Sequence, residues 1–187
     1  MYFNVKERGD NVATFGWINV RLIEMLAAWV PTTPEMEVKL VFGTHIWDVA
    51  QHADAFGKRT HELRLPLQDR LQPSHEYVDL LNEVARTRET SKRIAAFYDC
   101  LLPGLERRLR QYLEQVDTLL DGPTARIVER IIGDIARMRA ESRALLDEVP
   151  AVRLTDQSWL EMLRLREAGL GEIVVYRASH PPAVAAP

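Results

Sequence analysis

Three residues in the stretch GTHIWDVAQHADAFGKRTHELR, residues 43–64, carry side chains that bind metal ions in proteins: His45, Asp48 and His52. Their spacings of three and four place them on one face of a helix. Two imidazoles and a carboxylate on one face suit either a metal site or a hydrogen-bonded polar seam in a helical core. Both interpretations need a helix that turns this face toward its neighbours.

The elements around this stretch are predicted to be long amphipathic helices. The first covers residues 11–30 and has one apolar face, formed by Val12, Phe15, Leu22, Leu26 and Trp29. Thr33 is expected to cap the second helix and Pro34 to open it, so the polar triplet lies on that helix. Gly43 costs about 1 kcal/mol in an exposed helix interior relative to alanine. We therefore expect Gly43 to lie at a close contact between helices.

The second half of the chain predicts two more long helices. After an extended, proline-bracketed connection at 63–73, the third helix should run from Thr90 to Leu120 with a kink at Pro103. The turn sequence DGP then precedes a fourth helix. Its inner face is predicted to be formed by Val128, Ile131, Ile135, Met138, Ser142 and Leu145.

A shorter helix is expected near the C-terminus, around residues 159–167, followed by GEIVVYRAS as a short strand or an extended tail. We predict one domain over residues 1–178, because a chain of this length can bury a core without disulfides. Residues 179–187 are predicted to be a disordered tail, since prolines and alanines offer little to pack. The single cysteine, Cys100, is interpreted as a buried thiol.

The predicted fold is an all-α, ferritin-like four-helix bundle. Two helical hairpins joined by a long crossover between helices 2 and 3 have the ferritin-like topology, to which this chain adds an extra C-terminal helix and the extended tail. The segment HIWDVAQHADAFGKRTHELR, with the preceding RLIEMLAAWVP, resembles sequences of the ferritin-like superfamily of bacterial cytoplasmic proteins, and the resemblance covers about residues 11–146. The resemblance implies a di-iron or di-manganese site held by carboxylates and imidazoles.

The ligands of that site are largely missing. It uses a Glu from each of two helices and Glu-x-x-His from each of the other two, and this chain contains no Glu-x-x-His. On the fourth helix the inward positions are Ile135 and Met138, which cannot replace a carboxylate and an imidazole. Fragments of a site remain on the other helices, and they give the predicted metal ligands Glu24, His45, Asp48, His52 and Glu106.

The alternative for the triplet is a metal-free polar seam. In that interpretation Asp48 accepts hydrogen bonds from the imidazoles of His45 and His52, and Asn19 or Tyr98 closes the network. Each buried polar group left unpaired costs about 1 to 3 kcal/mol, so a seam would also fix which helices are neighbours. The four tryptophans, Trp17, Trp29, Trp47 and Trp159, are expected to be core or interface anchors.

Composition narrows the class of function. Hydrophobic residues make up 47% and charged residues 27%, which is typical of a globular protein. With 24 Lys and Arg against 27 Asp and Glu, the net charge of −3 argues against nucleic-acid binding. The N-terminus lacks the pattern of a secretory signal and no apolar run is long enough to span a bilayer, so we expect a cytoplasmic protein that is not bound to membranes.

Two functions follow as hypotheses. The first is a ferritin-like bundle with a degenerate metal site and no cofactor, in a binding or accessory role and as a homodimer, with a small molecule in the bundle core as a further expectation. The second is a non-haem iron or manganese oxidoreductase that uses an atypical site on the second helix.

Overall fold

Long helices make up most of the chain. The computed structural model describes residues 3–177, and all regular secondary structure within that range is helical. The helices are α1 (Val5–Trp29), α2 (Met36–Glu62), α3 (His75–Ala85), α4 (Thr90–Ala96), α5 (Leu102–Gln115), α6 (Gly122–Glu148) and α7 (Gln157–Gly169). A π-helical segment, Phe97–Leu101, joins α4 to α5. The all-α prediction is confirmed. The predicted tail at 179–187 lies outside the described residues.

The helix starts differ from the prediction. α1 begins at Val5 because Asn4 and Glu7 form a capping box, in which each side chain binds the backbone of the other. The predicted cap of α2 is wrong by two residues: α2 begins at Met36, and the Thr33 hydroxyl donates to the Trp29 carbonyl oxygen at 2.9 Å. Thr33 therefore closes the end of α1 instead of opening α2.

The predicted third helix is interrupted and shorter. Pro103 has no N–H to donate to the carbonyl group of Asp99, and the backbone forms the π-helical segment just before it. The Asp99 carbonyl oxygen accepts from Arg164 Nε at 2.8 Å, and that of Tyr98 accepts from Arg139 Nε at 3.1 Å. α5 ends at Gln115, short of the predicted end at Leu120, and both Leu119 and Leu120 are exposed.

One hydrophobic core connects the helices. α1 packs along α2, α2 packs against α6, and α6 packs against α5. The predicted inner faces of the first and fourth helices are confirmed, since every residue named for them is buried. Cys100 is also buried, as predicted, and burial raises the pKa of its thiol to about 12. Trp29 is a core residue, whereas Trp47 is exposed.

The glycine prediction is wrong for Gly43. This residue is exposed, and apart from its chain neighbours and the backbone of its own helix no described atom lies within 4 Å of the position that a Cβ would take. Gly57, further along α2, is the closely packed glycine: a Cβ there would overlap the side chain of Gln68. Gln68 belongs to the extended connection after α2, so Gly57 lets that connection lie against the helix.

The segment after α7 is extended and packed. Residues 171–177 form no strand, and Ile173 and Val174 are buried. The Ile173 carbonyl oxygen accepts from the Ser74 backbone N–H at 2.8 Å. At its end Arg177 Nε donates to the buried carboxylate of Asp10 at 2.6 Å. This segment therefore links α7 back to the start of α1.

A buried ion pair joins the C-terminal end of α2 to the start of α6. The Asp121 carboxylate is fully buried and accepts from Arg59 Nη2 at 2.6 Å, from the Tyr112 hydroxyl at 2.8 Å and from the Thr124 hydroxyl at 2.5 Å. These four residues, which we call the Asp121 cluster, belong to α2, α5 and the start of α6. Each of the other three residues donates to this carboxylate, which stabilises its charge in the core, and Arg59 Nε also donates to the Thr124 hydroxyl at 2.7 Å.

Candidate functional site

The predicted polar residues of α2 face α6, where a matching set of polar residues meets them. Asp134, Arg137 and Glu141 follow one another on α6 at spacings of three and four, as His45, Asp48 and His52 do on α2. The two helices run antiparallel here, so the order is reversed. The first residue of one set meets the last of the other. We call these six residues and Tyr98 the α2–α6 network.

His45 occupies the most buried position of this network. Its side chain is 0% exposed; Nδ1 lies 2.6 Å from the Tyr98 hydroxyl and Nε2 lies 2.7 Å from Glu141 Oε2. A carboxylate only accepts hydrogen bonds, so Nε2 carries the proton. Nδ1 of the neutral ring then accepts from the Tyr98 O–H. Tyr98 lies in the π-helical segment, so the backbone irregularity before Pro103 contributes this hydroxyl.

His52 makes the equivalent contact one heptad further along α2. Its ring is nearly fully buried, and Nε2 lies 2.9 Å from Asp134 Oδ2. Asp134 is partly exposed, so water reaches the carboxylate but not the imidazole. Both histidines are therefore held by acidic residues of α6, at the edge between core and solvent.

Asp48 lies between the two histidines and pairs with Arg137. Asp48 Oδ2 is 3.0 Å from Arg137 Nη2. The guanidinium also lies 3.1 Å from Glu141 and 3.4 Å from Asp134. Arg137 is therefore bound to all three carboxylates of the network. Its single charge, shared among them, offsets part of their mutual repulsion.

Burial decides the charge of the two imidazoles. Desolvation lowers the pKa of His45 and of His52 below the ordinary value of 6.5, and it outweighs the opposing effect of the carboxylates of Glu141 and Asp134. The hydrogen bond from His45, together with Arg137, lowers the pKa of Glu141. At neutral pH the two imidazoles of the network are therefore neutral, and the Glu141 carboxylate is ionised.

The structure gives the two histidines other acceptors than the seam interpretation predicted. The two histidines do face the interior, and Tyr98 joins them as expected. Their acceptors are Glu141 and Asp134 instead of Asp48. The amide nitrogen of Asn19 donates to the Phe15 carbonyl oxygen of its own helix at 2.8 Å and takes no part. The sequence analysis missed these acceptors because neither Asp134 nor Glu141 has a histidine within one turn of α6.

The other two predicted metal ligands are bound to arginines. Glu24 is exposed and pairs with Arg21 at 2.7 Å. Glu106 pairs with Arg110 at 2.7 Å and lies 3.7 Å from Arg139. Each carboxylate thus already has a cationic partner within hydrogen-bond or ion-pair distance.

These positions do not fit the dinuclear group that the family resemblance implies. Ile135 and Met138, where carboxylate and imidazole ligands would be needed on α6, are fully buried apolar residues. Within residues 3–177, no three His, Cys, Asp or Glu side chains are arranged to hold a metal ion. A single ion held by some of Glu24, His45, Asp48, His52 and Glu106 stays a prediction.

Comparison with known proteins adds no relative: no protein-family model, curated protein or solved structure matches the chain. The ferritin-like assignment therefore depends on the residues quoted above. None of the helices within residues 3–177 is long and apolar enough to cross a membrane.

Proposed function

We propose that the chain is a ferritin-like helical-bundle protein whose metal site has degenerated, and that it has a binding or accessory role instead of redox catalysis. The pairing between α2 and α6 carries this proposal. Each polar residue of α2 in the network faces its own partner on α6: Glu141 for His45, Asp134 for His52 and Arg137 for Asp48. In a metal site the same imidazole and carboxylate groups would instead turn toward one shared cation.

Metal analysis of protein purified from iron-supplemented cells tests this proposal. We expect iron and manganese far below one equivalent, and a melting temperature that does not rise when Fe²⁺ or Mn²⁺ is added, since a ligand that binds only the folded state would raise it. Near-stoichiometric metal that is lost in His52→Gln and kept in His61→Gln would overturn the proposal and establish the metal site on which the oxidoreductase alternative depends. His61 is the matched control because it lies on α2 but is exposed.

We also propose that the binding role includes self-association through the outer face of α2. Met36, Leu40 and Trp47 lie on this face, and each is more than half exposed. Gly43 lies among them with open space around it, which would let another helix approach closely. Two-fold dimers are the commonest oligomers, and in them one patch contacts its own copy. A second copy of α2 is therefore the partner that we propose.

Sedimentation velocity tests the dimer. Wild type should sediment as a dimer and Trp47→Ser mainly as a monomer, whereas Met162→Ser should remain a dimer. Met162 is the control because it is equally exposed but lies on α7. A wild-type chain that is monomeric throughout the micromolar range would refute this part of the proposal.

A further inference from the structure

Arginines from three helices line one surface depression: Arg107 of α5, Arg139 of α6 and Arg164 of α7. The depression has a volume of about 370 Å³, which is within the range of small-molecule sites. It lies beside the π-helical segment and shares no residue with the α2–α6 network. The site is therefore separate from the one described above.

The π-helical segment anchors two of these guanidinium groups. Pro103 leaves the Asp99 carbonyl oxygen without its usual backbone donor, and this oxygen accepts from Arg164 Nε at 2.8 Å. The Tyr98 carbonyl oxygen accepts from Arg139 Nε at 3.1 Å. Because the two carbonyl groups belong to consecutive residues, they hold the two guanidinium groups at neighbouring positions. Both arginines are bound through Nε, which leaves their terminal N–H groups for other partners.

The terminal N–H groups of these arginines are accessible. Within residues 3–177, neither terminal nitrogen of Arg164 has a hydrogen-bond or ion-pair partner. Arg139 Nη1 lies 3.7 Å from Glu106, which is beyond hydrogen-bond distance. Arg164 is exposed, and the side chains of Arg107 and Arg139 are 41% and 31% exposed, so small solutes reach all three.

Positive charge is in excess around the depression. Its lining carries two carboxylates, Asp99 and Glu167. Counted with the ion-pair partners of the lining residues, five guanidinium groups stand against three carboxylates, an excess of two positive charges. The charged groups counted are Arg107, Arg108, Arg110, Arg139 and Arg164, with Asp99, Glu106 and Glu167.

The Cys100 thiol, which also lines the depression, lies within the field of these charges. Burial raises the pKa of this thiol to about 12, and the charge of Glu167 acts in the same direction. The charges of Arg164, Arg107 and Arg108 lower it. Guanidinium groups of α5 and α7 are therefore close enough to act on one atom of the lining.

We propose that this depression binds a phosphate dianion, either as inorganic phosphate or as the terminal group of a small phosphorylated molecule. A phosphate monoester carries a charge of about −1.5 to −2 at neutral pH, which matches the excess of positive charge. Its terminal oxygens accept from guanidinium groups on separate helices, and the planar fork of arginine suits them. The proposal goes beyond the binding role argued above, and the metal and dimer experiments neither support nor refute it.

Titration with inorganic phosphate and with glycerol 3-phosphate at constant ionic strength tests this site. Calorimetry measures the affinity, and the NMR signals of the arginine Nε–H groups locate it. We expect millimolar affinity, as ligands of this size allow, with shifts of the Arg139 and Arg164 signals. Acetate, a monoanion, should bind about 10-fold more weakly. Tighter binding of glycerol 3-phosphate would assign the site to phosphorylated molecules, and tighter binding of inorganic phosphate would assign it to the free ion.

Two charge-matched variants identify the arginine that binds. Arg164→Gln should weaken phosphate binding about 10-fold, since it removes charged donors at an exposed position. Arg166→Gln should leave the affinity nearly unchanged, because Arg166 lies on the same helix but pairs with Glu83 and does not line the depression. Both variants remove one positive charge, so a difference between them does not come from net charge.

A third variant should strengthen binding. Asp99 lines the depression and has no ion-pair partner among the described residues, so Asp99→Asn should tighten phosphate binding about 3-fold by removing a repulsive charge. Asp147→Asn, which removes a surface carboxylate elsewhere, is its control and should change nothing. The proposal is refuted if neither phosphate compound binds, if acetate binds equally well, if Arg164→Gln and Arg166→Gln behave alike, or if Asp99→Asn weakens binding.

Discussion

Two polar clusters link α2 to α6, and they bury different polar groups in the core: a carboxylate in one cluster and imidazoles in the other. The Asp121 cluster has one fully buried carboxylate that accepts a hydrogen bond from each of the other three residues, including Arg59. Hydrogen bonds to Asp121 and Glu62 outweigh the effect of burial and raise the pKa of Arg59, so Arg59 keeps its charge at any physiological pH. The α2–α6 network instead buries neutral imidazoles and leaves their carboxylate partners at the surface.

Because of this difference, the two clusters should respond to different perturbations. A buried charge pair is destroyed when either partner is removed, because the remaining charge has no water to stabilise it. A buried neutral imidazole is sensitive to protonation, because its charged form must be desolvated. We therefore expect mutation to damage the Asp121 cluster most, and acid to damage the α2–α6 network most.

The largest expected effect is that of Asp121→Ala. It leaves the hydroxyls of Tyr112 and Thr124 without their acceptor and Arg59 with the exposed Glu62 as its acidic partner. Breaking a buried pair in this way costs about 3 to 5 kcal/mol. The free energy of unfolding in urea at neutral pH measures this loss. Asp147→Ala is the control: Asp147 pairs with Arg153 at the surface, where the loss should be below about 1 kcal/mol. Equal losses in the two variants would contradict the contrast drawn here.

The next effect concerns the pairing of His45 with Glu141. A double-mutant cycle with His45→Ala and Glu141→Ala should give a coupling energy of about 1 kcal/mol, reduced from the value of a fully buried charge-assisted bond because Glu141 is 42% exposed. The exposed pair Arg21 and Glu24 should give less than about 0.5 kcal/mol in the same type of cycle. A His45 coupling no larger than this control would mean that the network adds no stability.

The third prediction concerns the pH dependence of stability, which should come from the two histidines of the α2–α6 network. Because the folded pKa of His45 and His52 lies below the ordinary value of 6.5, the unfolded chain binds more protons between the two values. Stability is therefore full above about pH 6.5 and falls as the pH drops toward the folded pKa, by up to about 1.4 kcal/mol per pH unit for each histidine. Urea unfolding between about pH 7.5 and pH 5.5 measures the slope.

Matched variants assign that slope to the network. His45→Gln combined with His52→Gln should flatten it, whereas His61→Gln should keep it, because His61 is exposed on the same helix. A double variant with the wild-type slope would place the acid sensitivity elsewhere in the chain.

Helical periodicity made the fold class predictable, and the limits of the prediction have physical causes. Val128, Ile131 and Ile135 were found because an apolar face repeats within one helix. The π-helical segment was missed because a proline predicts the loss of one hydrogen bond but not which backbone geometry replaces it. Asp134 and Glu141 were missed because a partner on another helix leaves no local signal. The matching spacings of three and four on α2 and α6 were a signal of pairing that was available before the structure.

The smallest change in stability is expected for Asp48→Asn. The seam interpretation predicted that Asp48 accepts a hydrogen bond from both imidazoles. In that case, replacing it by leucine would leave both rings without an acceptor. In the structure the rings have other acceptors, and Arg137 keeps two carboxylates when Asp48 is neutralised. We therefore expect a loss below about 1 kcal/mol for Asp48→Asn and for Asp48→Leu alike.

The charge of Asp48 should instead be visible in the titration of its neighbours. Its negative charge raises the pKa of both His45 and His52, against the larger effect of burial. Asp48→Asn removes that contribution, so the pKa of both rings should fall further and acid sensitivity should extend to lower pH. NMR titration of the imidazole Cε1–H signals measures both shifts. A fall in only one ring would show that Asp48 is not placed between them, and a loss of stability as large as that from breaking the His45–Glu141 pair would restore Asp48 as the central acceptor of the seam.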